Sequence, residues 1–452
     1  MTATTENRYL IGNFAPVRDE LTVTDLEVEG AIPRALAGRL LRNGPNPIAP
    51  DPAMYHWFTG NGMLHAIELR EGKATSYRNR WVRTDSASEL LGEAPIADQP
   101  ADVFIGGGSA ANTHVVSHAG KILALVEVCL PTEVRADLST VGRYDFGGKL
   151  RSPMTAHPKM DPRTGEMVFF GYDITGPPWL RYHVVDASGA LVRSEAITIG
   201  GPAMVHDFAI TETHVVWFDL PVVYDFSLLG RRPFPAEWKP DYQARVGVMP
   251  RDRGDADVRW IDIDPCYLYH PANAWNDGGD VVVDVPKYGR AFDHDLSGPA
   301  DTNSVYERWT IDTSAGKVVT EVLDDRSQDF PRINETILGR RHRYAYTTRT
   351  DAVSSFELHG LVKHDHELGT ATTHTFGPQG HASEALFVPA PDASNEDDGW
   401  VLAVVYDAAR DGSDLVVLDA TDFAGPPVAT VRLPQRVPFG FHGSWVPDSA
   451  LS

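Results

Sequence analysis

The sequence predicts an all-β protein, and three observations carry that reading. Short runs rich in valine, isoleucine, tyrosine and phenylalanine recur along the chain. Turns containing Gly and Asp separate them, and no long stripe of helical periodicity appears. The 39 glycines and 33 prolines interrupt nearly every candidate helix.

In order, the strand candidates are "KILALVEV" (121–128), "EMVFFGYD" (166–173), "HVVWFDL" (214–220), "DVVVDV" (280–285), "HRYAYTTRT" (342–350), "VLAVVYDA" (401–408) and "DLVVLDA" (414–420). β-branched and aromatic side chains suit a pleated, half-buried surface. Between them "DPRTGE", "DASGA", "DTSAGK" and "ARDGSD" supply residues that accept the backbone angles of tight reversals. "ERWTIDTSAGKVVTEVL" (307–323) reads as one hairpin, and "SASELLGE" (86–93) as a short helical turn. "PDASNEDDG" (391–399) reads as an acidic exposed loop rather than a linker. Many short strands at this spacing suit a β-propeller or a large sandwich, and no WD or Kelch-type repeat decides between them. No long flexible segment divides the chain, so residues 1–452 are read as a single closed architecture.

A chain of 452 residues can bury a large core, and 42% hydrophobic with 10% aromatic residues describes a folded protein. The net charge of −22 excludes nucleic acid as a partner, because a phosphate backbone demands a basic face. Cys129 and Cys266 are too few for a disulfide-stapled secreted chain. "MTATTENRYL" has neither the basic start nor the apolar segment of a secretory signal, and no run is apolar enough to span a bilayer. The expectation is a soluble, cytoplasmic protein.

Four of the 17 histidines stand out: His157 in "MTAHPK", His206 in "MVHDFAIT", His270 in "LYHPANAWN" and His442 in "GFHGSW". Each sits at the edge of an apolar segment, beside a residue that bends or crowds the backbone. Separations of 49, 64 and 172 positions are unlike the compact spacing of a zinc finger or an HExxH helix. They suit a propeller, whose innermost strands converge on one axis. A lone histidine is more often an ordinary buried side chain, so the four carry weight only as a set.

Seven segments in register then identify a family resemblance. "RNGPNP" (42–47), "HWFTGNGMLHA" (56–66), "ANTHVV" (111–116), "TAHPKMDPRTGEM" (155–167), "HDFAITET" (206–213), "FPRINE" (330–335) and "VPFGFHGSWVP" (437–447) resemble, in order, those of the carotenoid cleavage oxygenase family. The resemblance implies a seven-bladed propeller capped by a dome of loops and short helices. It implies non-haem Fe(II) on the axis, bound by His157, His206, His270 and His442. It further implies three carboxylates behind the ligands, matched by Glu127, Asp329 and Glu384, with Asp329 at a position where branches differ between Glu and Asp. Thr113 matches a position beside the vacant coordination site. Neutral imidazoles suit Fe(II) and leave room for O2, whereas zinc with four protein ligands is usually closed and structural.

The implied activity is oxidative cleavage of a carbon–carbon double bond, with an apolar polyene or aromatic alkene and O2 as partners. Val126 stands where lignostilbene-type members carry a lysine that contacts a phenol, which favours a carotenoid or apocarotenoid over a stilbene or other phenylpropanoid. Phe58, Trp275 and Phe441 are candidates for an aromatic tunnel wall. Segment 221–238, with Leu228, Leu229, Phe234 and Trp238 beside Arg231 and Arg232, is a candidate peripheral membrane contact. An isomerohydrolase-type relative and a propeller serving as a protein-interaction platform are the competing readings. "KHDHE" (363–367) reads as a solvated loop rather than a metal pair. "FIGGGSA" (104–110) lacks the GK[ST] ending of a phosphate loop.

Overall fold

The computed structural model describes residues 6–103, 109–173, 176–350 and 358–451; most of the Gly-rich stretch 104–110 lies outside them. The chain folds as a seven-bladed β-propeller in which each blade is a four- to six-stranded antiparallel sheet. The runs singled out above form its strands, among them Met167–Tyr172, His214–Asp219, Asp280–Tyr288 and Gly412–Asp419. The expected hairpin pairs Ser304–Asp312 with Lys317–Asp324, and the expected helical turn is Asp85–Leu91, capped by the Thr84 hydroxyl.

The first blade joins both ends of the chain. Its inner strand, Gly443–Pro447, pairs with Gly38–Pro45, which continues outward through Gly62–Arg70, Lys73–Trp81 and Thr22–Thr24. The second to sixth blades follow in chain order over 114–143, 159–198, 209–262, 267–324 and 328–374. The seventh, 380–432, takes Val28–Gly30 as its outer strand, so the N-terminal segment ties two blades together. Near the closure a Cβ on Gly44 would stand 2.6 Å from the Gly440 Cα, so only glycine permits this backbone crossing.

Apolar faces of neighbouring blades pack against each other around the ring. The largest cluster spans the third to fifth blades, where Phe208 stacks on Trp217 at 5.4 Å and Phe170 meets both rings edge-on. Burying each such ring contributes about 1.5–3 kcal/mol. The fourth blade carries an excursion between its strands: Val222–Tyr224 pairs with Ala236–Trp238 to form a separate hairpin. Cys129 and Cys266 are both free thiols, and both are buried.

Candidate metal centre

Every blade delivers one residue to the axis. His157, His206 and His442 directly precede the inner strands Lys159–Met160, Ala209–Ile210 and Gly443–Pro447 of the third, fourth and first blades. His270 lies between Tyr267–Leu268 and Asn273–Asp277 of the fifth. The second, sixth and seventh blades instead send carboxylates: Glu127 after Lys121–Leu125, Asp329 within Gln328–Arg332, and Glu384 between Gly380–Ala382 and Leu386–Pro389.

The rings meet. His157 Nε2 lies 3.2 Å from His206 Nε2, which lies 3.3 Å from His270 Nε2. The metal-capable atoms of these three fall within 4.8 Å of one another. His442 completes the group with ring-centre distances of 4.6 Å to His157 and 4.8 Å to His270. The His206 ring is aimed by a left-handed backbone, φ 58°, costly for any residue with a Cβ. Its amide donates to the Tyr172 hydroxyl at 3.0 Å. Thr155 stitches two of the segments, accepting from the His157 amide and donating to the His206 carbonyl.

The outer nitrogens are held by the carboxylates. His206 Nδ1 lies 3.0 Å from Glu127, His270 Nδ1 2.8 Å from Asp329, and His442 Nδ1 2.9 Å from Glu384. Each carboxylate is held in turn: Glu127 accepts from Tyr224, Asp329 from Tyr288 at 2.6 Å, and Glu384 from the Gly443 amide at 3.0 Å and Arg332 at 3.3 Å. Burial pushes both tyrosines well above the usual phenol range, so they remain donors. Burial also pushes Glu384 upward, but Arg332 and His442 outweigh it and hold the carboxyl well below its ordinary range. His157 and His442 are held well below the ordinary imidazole value, chiefly by burial.

This pattern tests whether the residues fit a metal. Donation from Nδ1 to a carboxylate leaves Nε2 of a neutral ring as a bare lone pair. The His206 and His270 lone pairs face each other 3.3 Å apart with no hydrogen to share, an arrangement that a cation between them stabilises. The donor set fits a divalent transition ion that accepts imidazole nitrogen.

The match to known proteins now has a structural context. The family model for retinal pigment epithelial membrane protein, RPE65, matches residues 14–447. The chain belongs to the RPE65/carotenoid cleavage oxygenase family. It is 43% identical to a carotenoid cleavage oxygenase of Mycobacterium tuberculosis, over 99% of each chain. It is 36% identical to carotenoid 9,10(9',10')-cleavage dioxygenase 1 of Arabidopsis thaliana, over 98% of this chain and 90% of the relative. Among solved structures, the lignostilbene dioxygenase of Pseudomonas brassicacearum superposes with a TM-score of 0.87 at 31% identity, covering 97% of this chain and 98% of that one. Cobalt-substituted Synechocystis ACO superposes at 0.85 with 29% identity, covering 96% and 97%.

The centre opens on a cavity of about 330 Å³. Trp57, Phe58, Phe234, Tyr269, Phe330 and Phe441 supply its aromatic wall, and Thr113 and Val126 also border it. Trp275 does not. It lies in the fifth blade under the Arg308 guanidinium at 4.9 Å and against His342 at 5.3 Å, so its expected place in the wall is corrected. The inserted hairpin sends Tyr224, Phe226, Leu229 and Phe234 to the cavity. Phe234 and Trp238, expected on an exposed patch, are buried, and Arg232 is paired with Glu237 at 3.1 Å; Leu229 remains 41% exposed.

"KHDHE" is a second correction. His364 and His366 project from one face of Leu358–Asp365 and its end into a buried network, not into solvent. His366 and His342 approach Asp284 at 3.6 and 3.3 Å, and these three can also be grouped as metal ligands. Arg308 already clamps both Asp284 oxygens at 2.7 and 2.8 Å, however. The Asn273 amide donates to His342 Nδ1, which puts the proton on Nε2, facing the carboxylate. Although burial pushes Asp284 upward, these partners hold it down at about 2, as an ion-pair network requires.

Sequence reasoning missed Tyr224, Tyr288 and Arg332, the groups that hold the carboxylates. Their separations of 97, 41 and 52 residues from their partners carry no local signal.

Proposed function

We propose that this protein is a non-haem Fe(II)-dependent dioxygenase that cleaves a carbon–carbon double bond of a carotenoid or apocarotenoid with O2. Two carbonyl products result, each carrying one oxygen atom from O2, so no external reductant is needed. The observation that supports this reading best is the convergence of four buried imidazoles, three of them backed by carboxylates and bordering a cavity with an aromatic wall.

His157, His206, His270 and His442 would hold the iron, which when bound supplies the activation of O2. Glu127, Asp329 and Glu384 fix the tautomer and ring orientation of three ligands. Phe58, Phe441 and Phe330 give an alkene apolar surfaces to lie against and exclude water from its reacting carbons. Val126 keeps the surface beside Glu127 apolar, and Thr113 narrows the approach. The relatives named for carotenoid cleavage favour a polyene. The likeness to a lignostilbene dioxygenase supports a second reading, the same cleavage of a stilbene or other phenylpropanoid alkene.

Among the described residues no helix is long and apolar enough to cross a membrane. Delivery of a polyene from a bilayer surface would rest on Leu228, Leu229 and Arg231 of the inserted hairpin, next to cavity residues Phe226 and Phe234.

The deciding experiment incubates Fe(II)-reconstituted protein with β-carotene, apocarotenals and hydroxystilbenes under ¹⁸O2. Labelled aldehydes are expected. Isomerised or hydrated products without label would replace cleavage by a non-oxidative activity.

A further inference from the structure

A second chamber, of about 160 Å³, meets the metal centre from another side. It shares His270, Phe330 and His442 with the aromatic cavity, but His157 borders only this chamber and His206 only the cavity. The four histidines therefore stand between two spaces, one with an aromatic wall and one with charged groups in its lining.

The chamber's wall carries an ionic set among apolar residues such as Val116, Ile333 and Leu338. Asp207, Glu335 and Glu384 face Lys159 and Arg332, three carboxylates to two cations. Lys159 is paired with Asp207 at 2.7 Å, and Arg332 bridges Glu335 and Glu384. Glu335, with its side chain 59% exposed, brings this polar lining to the surface, whereas Glu384 lies buried at its inner end. A hydrated dication sheds its water at prohibitive cost against aromatic walls, and far more easily where oxygen and nitrogen donors replace it.

One such donor stands just short of the centre. His114 is buried in the chamber wall, with its ring centre 5.2 Å from that of His442 and 6.1 Å from that of His157. Its Nδ1 donates to the Ala156 carbonyl at 2.8 Å, so Nε2 presents a lone pair. That nitrogen lies 3.3 Å from the Gly443 carbonyl oxygen and 3.4 Å from the Ser444 hydroxyl. The hydroxyl can donate to that lone pair, and a cation arriving there would take its place, with the Gly443 carbonyl oxygen as a second ligand.

We propose that the polar chamber is the route by which the ferrous ion reaches the four histidines, with His114 and the Gly443 carbonyl as its last stop. The proposal rests on the reading of the four histidines as iron ligands. It assigns separate doors to metal and substrate: the ion enters through the ionic chamber and the alkene through the aromatic cavity.

The test follows anaerobic uptake of Fe(II) by metal-free protein over time, and metal content at equilibrium. His114→Phe keeps a ring of similar size without a ligand. Ser117→Trp places bulk in the chamber wall and leaves all four histidines in the sequence. Both variants are expected to load at least tenfold more slowly than the native chain yet reach the same final stoichiometry. Native loading rates in both would overturn the route. A native chain that takes up no Fe(II) would instead overturn the metal assignment, so the two failures are distinguishable.

Discussion

His442 and Glu384, 58 positions apart in the chain, meet at 2.9 Å between Nδ1 and Oε1, and the same carboxylate accepts the amide of Gly443. One anion thus orients a ring and pins the strand behind it. Glu384→Gln keeps the shape but removes the charge, and leaves Arg332 without its inner partner. Iron affinity, measured by competition with a chelator, is expected to fall roughly 10- to 100-fold. Native affinity in the variant would show that the carboxylate does not tune the centre.

His206→Ala removes the ring whose Nε2 stands closest to both His157 and His270. Bound iron by elemental analysis should fall to background, and aldehyde formation with it. Chelation of the native protein should abolish cleavage, and Fe(II) should restore it.

Val126→Lys places an ammonium in the cavity beside Glu127. Desolvating an ammonium against an apolar chain is costly, and the new charge competes with His206 for Glu127, so kcat/KM for an apocarotenal should drop by roughly tenfold or more. Relative activity on 4-hydroxystilbene should rise. An unchanged ratio would remove Val126 from the determinants of substrate choice.

Phe208→Ala empties a position stacked on Trp217 between blades, well away from solvent. Loss of the ring should cost about 3–5 kcal/mol in chemical denaturation. A cost below about 1 kcal/mol would mean that the interblade cluster repacks around the gap.

Leu228→Asp combined with Leu229→Asp tests the inserted hairpin as a bilayer contact. Pelleting with liposomes should fall while cleavage of a detergent-dispersed substrate persists. Equal pelleting of the two proteins would end the docking proposal.

The strands were legible because β-branched runs and Gly–Asp turns report directly on pleat and reversal. Blade number was not, since no repeat marks the units; it came from the family resemblance. The four histidines were visible through crowded neighbours such as Pro158 and Gly443, but their meeting point depends on ring closure. Period-two alternation says which residues face inward from a strand, not what faces them across a blade interface. That gap explains Trp275, which packs under Arg308, and His366, which turns toward Asp284 rather than water. It also explains Phe234 and Trp238, whose apolar side chains fold under the hairpin instead of outward.

The strand Gly443–Pro447 both seals the circle against Gly38–Pro45 and carries His442 inward. During synthesis a nascent chain therefore owns three of its four imidazoles until the segment around His442 leaves the ribosome and docks. An ion held by all four would act as a clasp on that seam: whatever filled the centre would resist its peeling, and whatever loosened the seam would release the ion. Hydrogen exchange in Gly443–Pro447 should thus slow on iron loading, which would link the integrity of the whole wheel to a single atom at its hub.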